Sequence, residues 1–109
     1  MGITKTEGFE TEVVEVAAIL KALGHPARIS IMKHLASKDQ CICGDIVLEL
    51  PLAQPTVSRH LSELKAVGLI KGIISGKNIC YCIDTANWER LQSYLQQITR
   101  ANNSKSSCC

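Results

Sequence analysis

Apolar residues recur along most of this chain at helical spacing and, over one short stretch, at strand spacing. From Thr11 to Leu23 the residues Val13, Val16, Ala17, Leu20 and Leu23 share a face that leaves Glu12, Glu15 and Lys21 outside it, which predicts a first helix. Gly24-His25-Pro26 stops it. Pro26, whose fixed φ suits the first helical position, opens a second helix that runs through Ile29, Ile31, Met32 and Leu35 to about Ser37. After the polar connection Lys38 to Gln40, Cys41-Ile42-Cys43-Gly44 precedes a short apolar helix, Asp45 to Leu50, ended by Pro51. A brief turn, Pro51-Leu52-Ala53, leads into the stretch from Ala53 to Leu69, with Pro55 in its first turn and Gly68 at its end. There Val57, Leu61 and Leu64 fall at i, i+4 and i+7 in a single stripe, and Thr56, Ser58, Arg59, His60 and Lys65 lie off it.

Beyond Gly68 the period changes. Leu69 to Ile74 and Asn78 to Ile83 favour strands, and Ser75-Gly76-Lys77 between them reads as the turn of a hairpin. Alternation sets Ile79, Tyr81 and Ile83 on one face and Cys80 and Cys82 on the other, less buried one, where both are expected to be surface strand residues. Trp88, Leu91, Leu95 and Ile98 make the stripe of a last helix, with Tyr94 beside it. Ala101 to Cys109 is small and polar apart from its final cysteines and reads as a disordered tail.

Two helices joined by a turn of a few residues and followed by a hairpin form a winged helix-turn-helix. The predicted fold is mainly α with a β-hairpin (α+β), in the order ααααββα, over residues 1–100, with a flexible Cys-terminated tail over 101–109. The first and last helices are not needed to complete the central motif, so they form the expected dimer surface. A two-fold dimer would hold two reading helices roughly 34 to 36 Å apart on double-stranded DNA.

Composition narrows this picture. A chain of 109 residues, 46% apolar and 20% charged, is one soluble domain of common size. It has no apolar run near the roughly 20 residues of a membrane span. Met1 to Glu12 is polar and carries three glutamates, unlike a signal peptide, so a cytoplasmic protein with no membrane partner is expected. The net charge of +2 says little, but its distribution says more. By segment it is −2 over 1–24, +2 over 25–40, −2 over 41–54, +3 over 55–78 and +1 over 79–109. The most basic segment is the predicted reading helix with the hairpin after it, as a DNA-binding face needs.

The candidate DNA contacts follow from that face. Gln54 and Thr56 at the helix start suit base edges, Arg59 suits guanine or phosphate, and Ser58 and His60 complete the helix set. His60 has a second reading as a packed structural residue. Lys71, Lys77 and Asn78 are the expected contacts on the wing. His25 reads as a turn residue and His34 as a helix-surface one.

Six cysteines in a chain this short come as three tight pairs, Cys41/Cys43, Cys80/Cys82 and Cys108/Cys109. They read as cytosolic thiols rather than staples, because such close pairs strain a disulfide but chelate a soft ion well. Cys41 and Cys43 are expected at a helix start, where the dipole and free N–H groups favour a thiolate. An enzyme is not expected: there is no Cys-x-x-Cys beside a βαβ pattern, no Gly-rich phosphate loop and no acid/base pair beside the thiols. No organic cofactor is implied.

Three passages together resemble the small metalloregulatory repressors of the arsenic-repressor type, the ArsR/SmtB family. They are Leu23-Gly24-His25-Pro26-Ala27-Arg28-Ile29, Cys41-Ile42-Cys43-Gly44-Asp45 and Gln54-Pro55-Thr56-Val57-Ser58-Arg59-His60-Leu61, and the likeness extends from about Val14 to Ile98. The resemblance implies an apo dimer that represses an operator and is released by metal binding at Cys41 and Cys43, with As(III) as leading effector and Cd, Pb, Bi or Sb as others. Arsenite-responsive members commonly have a third cysteine where this chain has Ile46, and the zinc-sensing branch uses Asp and His on a last helix that here, from Asp84 to Gln97, has no His. Trivalent arsenic wants three sulfurs, and the expected third donor is Cys108 or Cys109, since the nine-residue tail reaches about 30 Å when extended. The alternatives are a thiol redox-sensing repressor of the same fold and, in a different class, a cysteine-rich metal-buffering protein.

Overall fold

The computed structural model describes residues 8–38, 41–43 and 52–103. In chain order the elements are α1 (Thr11–Leu23), α2 (Pro26–Ala36), β1 (Ile42–Cys43), α3 (Gln54–Ala66), β2 (Ile70–Ser75), β3 (Asn78–Ile83) and α4 (Thr85–Asn103). The reading helix, the hairpin and the flanking helices are as the sequence predicts. The expected short helix Asp45 to Leu50 lies outside the described residues, as do Cys108 and Cys109.

α3 turns its whole stripe into the core: Val57 and Leu64 are fully buried and Leu61 nearly so. Around it pack Val16 and Ile19 of α1, Ile31, Met32 and Leu35 of α2, Leu69 and Ile70 at the entry to the hairpin, and Leu91 of α4. The α1 stripe is rotated from the predicted one. Val16, Ile19 and Ala22 face the core, whereas Leu20 is exposed. This helix is apolar on more than one side, and periodicity alone does not say which side meets the core.

The sheet differs from the prediction in number of strands. β3 is the middle strand of three, paired antiparallel with β2 on one side and with β1 on the other. Two registers follow: Ile42 pairs with Tyr81 and Cys43 with Cys80, while Lys71 pairs with Cys82 and Ile73 with Cys80. Cys43 therefore lies within an extended strand and Cys41 directly before it, while the expected helix start after them lies outside the described residues. β-branched Ile42 between them packs on the core with Tyr81 and Ile83. Cys80 is buried, not a surface residue, because a central strand flanks it with Ile73 on one side and Cys43 on the other. The hairpin closes through a two-residue turn with Gly76 at φ 61°, the left-handed conformation that such turns need at this position.

α4 continues to Asn103, three residues into the predicted tail. Its first turn is fixed to the corner between α3 and β2. Asn87 Nδ2 donates to Gly68 O at 2.8 Å, Trp88 Nε1 donates to Leu69 O at 3.1 Å, and Asp84 N donates to the same carbonyl. Gly68 has φ +80°, and a Cβ there would stand 2.5 Å from Asn87 Nδ2. Replacing Gly68 with Ala is therefore expected to cost about 1–3 kcal/mol of stability, from left-handed strain plus loss of the Asn87 contact. Urea unfolding compared with the parent checks this; an unchanged midpoint would contradict the account.

Candidate nucleic-acid interface and thiol cluster

α3 has its apolar stripe inward, and on the opposite side Pro55, Thr56, Ser58, Arg59, Ser62, Glu63 and Lys65 are exposed. Lys71, Lys77 and Asn78 on the wing are exposed as well. Helix face and wing thus both offer exposed donors, while the side chain of Gln54 lies outside what is described. Beside the helix start is an open cleft of about 540 Å³ lined by His25, Arg28, Pro55, Thr56, Arg59 and His60.

His60 takes the second of its two predicted roles. It is 7% exposed, and its Nδ1 accepts a hydrogen bond from Arg28 Nε at 3.0 Å. The same guanidinium donates from Nη1 to Ala22 O, the end of α1, at 2.8 Å. His25 caps α2 by accepting from Ala27 N and lies against His60, ring centroids 4.6 Å apart. His25 sits at the turn between α1 and α2 as the sequence analysis reads it, whereas Arg28 is a support that was left unassigned, its only signal being its place in the helix-opening passage.

Burial holds the His60 imidazole below its ordinary pKa, and the positive charges of His25, Arg28 and Arg59 add to the shift. The neutral ring is also the form that can accept from Arg28. A base whose folded pKa is depressed binds fewer protons folded than unfolded, so stability is full above the ordinary value of about 6.5 and falls as pH drops below it. Acidification from pH 7.5 to 5.5 is expected to lower the urea midpoint, and His60→Gln to flatten that dependence. A slope unaltered in the variant would remove His60 as the cause.

The thiols are arranged across strands and not along them. Cys41 and Cys82 form a disulfide with Cα atoms 4.5 Å apart, and Cys80 is disulfide-bonded too. This corrects the expectation of thiols paired by sequence proximity. Residues two apart on a strand are separated by about 6.6 Å, but directly opposed residues in an antiparallel pair come as close as about 4.5 Å. Cys80 and Cys82 of β3 thus share a sheet face with Cys41 and Cys43. Among the described residues no group of three or more His, Cys, Asp or Glu side chains stands ready to hold a metal ion.

A helix with a polar, basic outer face, preceded by a turn and followed by a wing, defines a DNA-binding winged helix-turn-helix. Residues 25–71 match the family model of the bacterial regulatory protein, arsR family. The chain is 42% identical over 72 residues to an uncharacterized HTH-type transcriptional regulator of Methanocaldococcus jannaschii, covering 64% of this chain and 80% of that one. It is 38% identical over 71 residues to the HTH-type transcriptional repressor SmtB of Mycobacterium tuberculosis, covering 64% of this chain and 52% of SmtB. The chain therefore spans about half of SmtB. In structure it is similar to an ArsR-like transcriptional regulator from Rhodococcus sp. RHA1, with TM-score 0.75 and 25% identity over 85% of this chain and 87% of that one. The chain belongs to the arsR family; it is a DNA-binding transcriptional regulator and not an enzyme. No described helix is long and apolar enough to cross a membrane.

Proposed function

We propose that this protein is a homodimeric repressor that leaves its operator when a soft metal or metalloid ion, arsenite foremost, binds the thiolates of Cys41 and Cys43. The observation that carries this reading is the pairing of β1 with β3, which joins the Cys-x-Cys segment directly to the wing. The donor chemistry fits: sulfur ligands select soft ions, and Cys41 is exposed for exchange with solution. A bound soft ion supplies strong bonds to several sulfurs at once. Ligation at β1 pulls on β3, and β3 positions the wing lysines relative to the exposed face of α3. Release follows only if that arrangement has the lower DNA affinity, which is the coupling a repressor needs.

Dimerisation through α1 and α4 is supported by exposed Leu20 on one helix and Leu95 and Ile98 on the other, with Arg90 of α4 paired to Glu15 of α1. Arg59 at the centre of the exposed α3 face is the assigned guanine or phosphate contact, with Thr56 and Ser58 before it and Lys71, Lys77 and Asn78 on the wing. A second reading has its own observation: the Cys41–Cys82 disulfide supports a repressor that senses thiol oxidation. A metal buffer would have no use for a basic reading helix.

Fluorescence anisotropy on a duplex selected from a random pool by the reduced protein tests both readings. Sodium arsenite is expected to abolish binding; release by diamide but not by arsenite would favour the redox sensor, and metal uptake without any DNA binding would favour the buffer. Arg59→Ala is expected to weaken binding by roughly 1–3 kcal/mol per half-site with the fold intact. Normal affinity at fixed salt would remove Arg59 from the interface.

A further inference from the structure

We propose that Cys41, Cys43, Cys80 and Cys82 make one soft-ion site laid across the β1–β3 ladder, in which the wing strand supplies the sulfur that position 46 and the C-terminal tail were expected to give. The proposal rests on the metal-responsive reading above and names its ligand set. Its basis is the register. Cys43 opposes Cys80, Cys82 lies within disulfide reach of Cys41, and the two pairs flank Ile42 and Tyr81 in the same ladder. By this register the four positions belong to one sheet face, with Cα atoms about 4.5 Å apart across the ladder and about 6.6 Å apart along each strand.

Two further features suit an ion. The site is graded in access, with Cys41 exposed, Cys82 half-buried and Cys80 only 5% exposed, so ligands exchange at one end and are shielded at the other. Lys71 of β2 lies directly across from Cys82 on that face, so a wing cation stands beside the sulfurs. The row Cys41, Cys82, Lys71 therefore links the ion site to a predicted DNA contact without any intervening element.

The chemistry balances in two steps. A cellular dithiol gives two electrons and two protons to the Cys41–Cys82 disulfide, and a second dithiol does the same to the disulfide that holds Cys80, each yielding two thiols and its own disulfide, so that Cys41, Cys80 and Cys82 are all thiols. Three thiols of the set then displace the three hydroxyl groups of As(OH)3 as water: three S–H and three As–O bonds are exchanged for three As–S and three O–H bonds, with no change of oxidation state. The fourth thiol completes the set for a four-coordinate soft ion.

The test titrates reduced full-length protein with sodium arsenite, reading the ultraviolet arsenic–thiolate absorbance for affinity and sulfur count and, separately, release of DNA. Cys80→Ser/Cys82→Ser is expected to lose more than about 100-fold in arsenite affinity, because even groups that only orient a ligand cost 10- to 100-fold. Cys82→Ser, at a half-buried position, is expected to lose a comparable amount and guards against misfolding at buried Cys80, with ion-free DNA binding as the check on both. A chain ended after Asn103 is expected to bind arsenite as the parent does. Unchanged affinity in both wing variants overturns the proposal, as does a loss confined to the shortened chain or a parent that binds no arsenite. Three-sulfur binding that depends on Cys82 but leaves DNA bound would support the site and overturn the repressor reading instead.

Discussion

Three helices of this protein are held in register by one guanidinium. Arg28 extends from α2 to the final carbonyls of α1 at Ala22 and to the imidazole of His60 on α3. Arginine stays charged at any pH the protein meets and presents several donors in a fixed fork, so a lysine could not make both contacts in this way. The acceptor is conditional. His60 offers a lone pair only while neutral, and its burial among positive neighbours keeps it so. The orientation of the reading helix against the rest of the core thus depends on an unprotonated ring placed behind the exposed face of α3.

A second set of bonds joins the same helix to α4. Gly68 and Leu69 end α3 and begin the wing, and both present carbonyls to Asn87, Trp88 and Asp84. The helix proposed to carry the dimer face therefore starts at the corner where reading helix and wing diverge. A change in wing position has a short mechanical route to the spacing of two reading heads, through hydrogen bonds and not through a flexible linker.

The helices, the turn before α3 and the hairpin were legible in the sequence because each carries a local signal: an apolar period, a proline at a helix start, a glycine where the backbone must turn left-handed. Val57, Leu61 and Leu64 are buried as their spacing says. The thiol arrangement was not legible. A two-residue strand such as Ile42–Cys43 has too few positions to show alternation, and its partner lies some 40 residues on. Grouping cysteines by proximity in sequence was the wrong rule because strand pairing, not adjacency, sets which sulfurs meet. His60 kept two readings for a related reason: its spacing from Val57 and Leu64 left it at the edge of the stripe, and only the position of Arg28 decides which way it faces.

The link from β1 to β3 also has a topological meaning. Cys41 and Cys82 are 41 residues apart, and all of α3, β2 and the wing turn lie between them. Any bond that joins these strands, whether sulfur to sulfur or through a shared ion, turns the reading head into a closed ring. For a loop of that length the chain-entropy model removes roughly 4 kcal/mol of freedom from the unfolded chain. On the proposed reading the form released from DNA is then the harder one to unfold, and regaining repression requires only that the ring be opened, not that new protein be made.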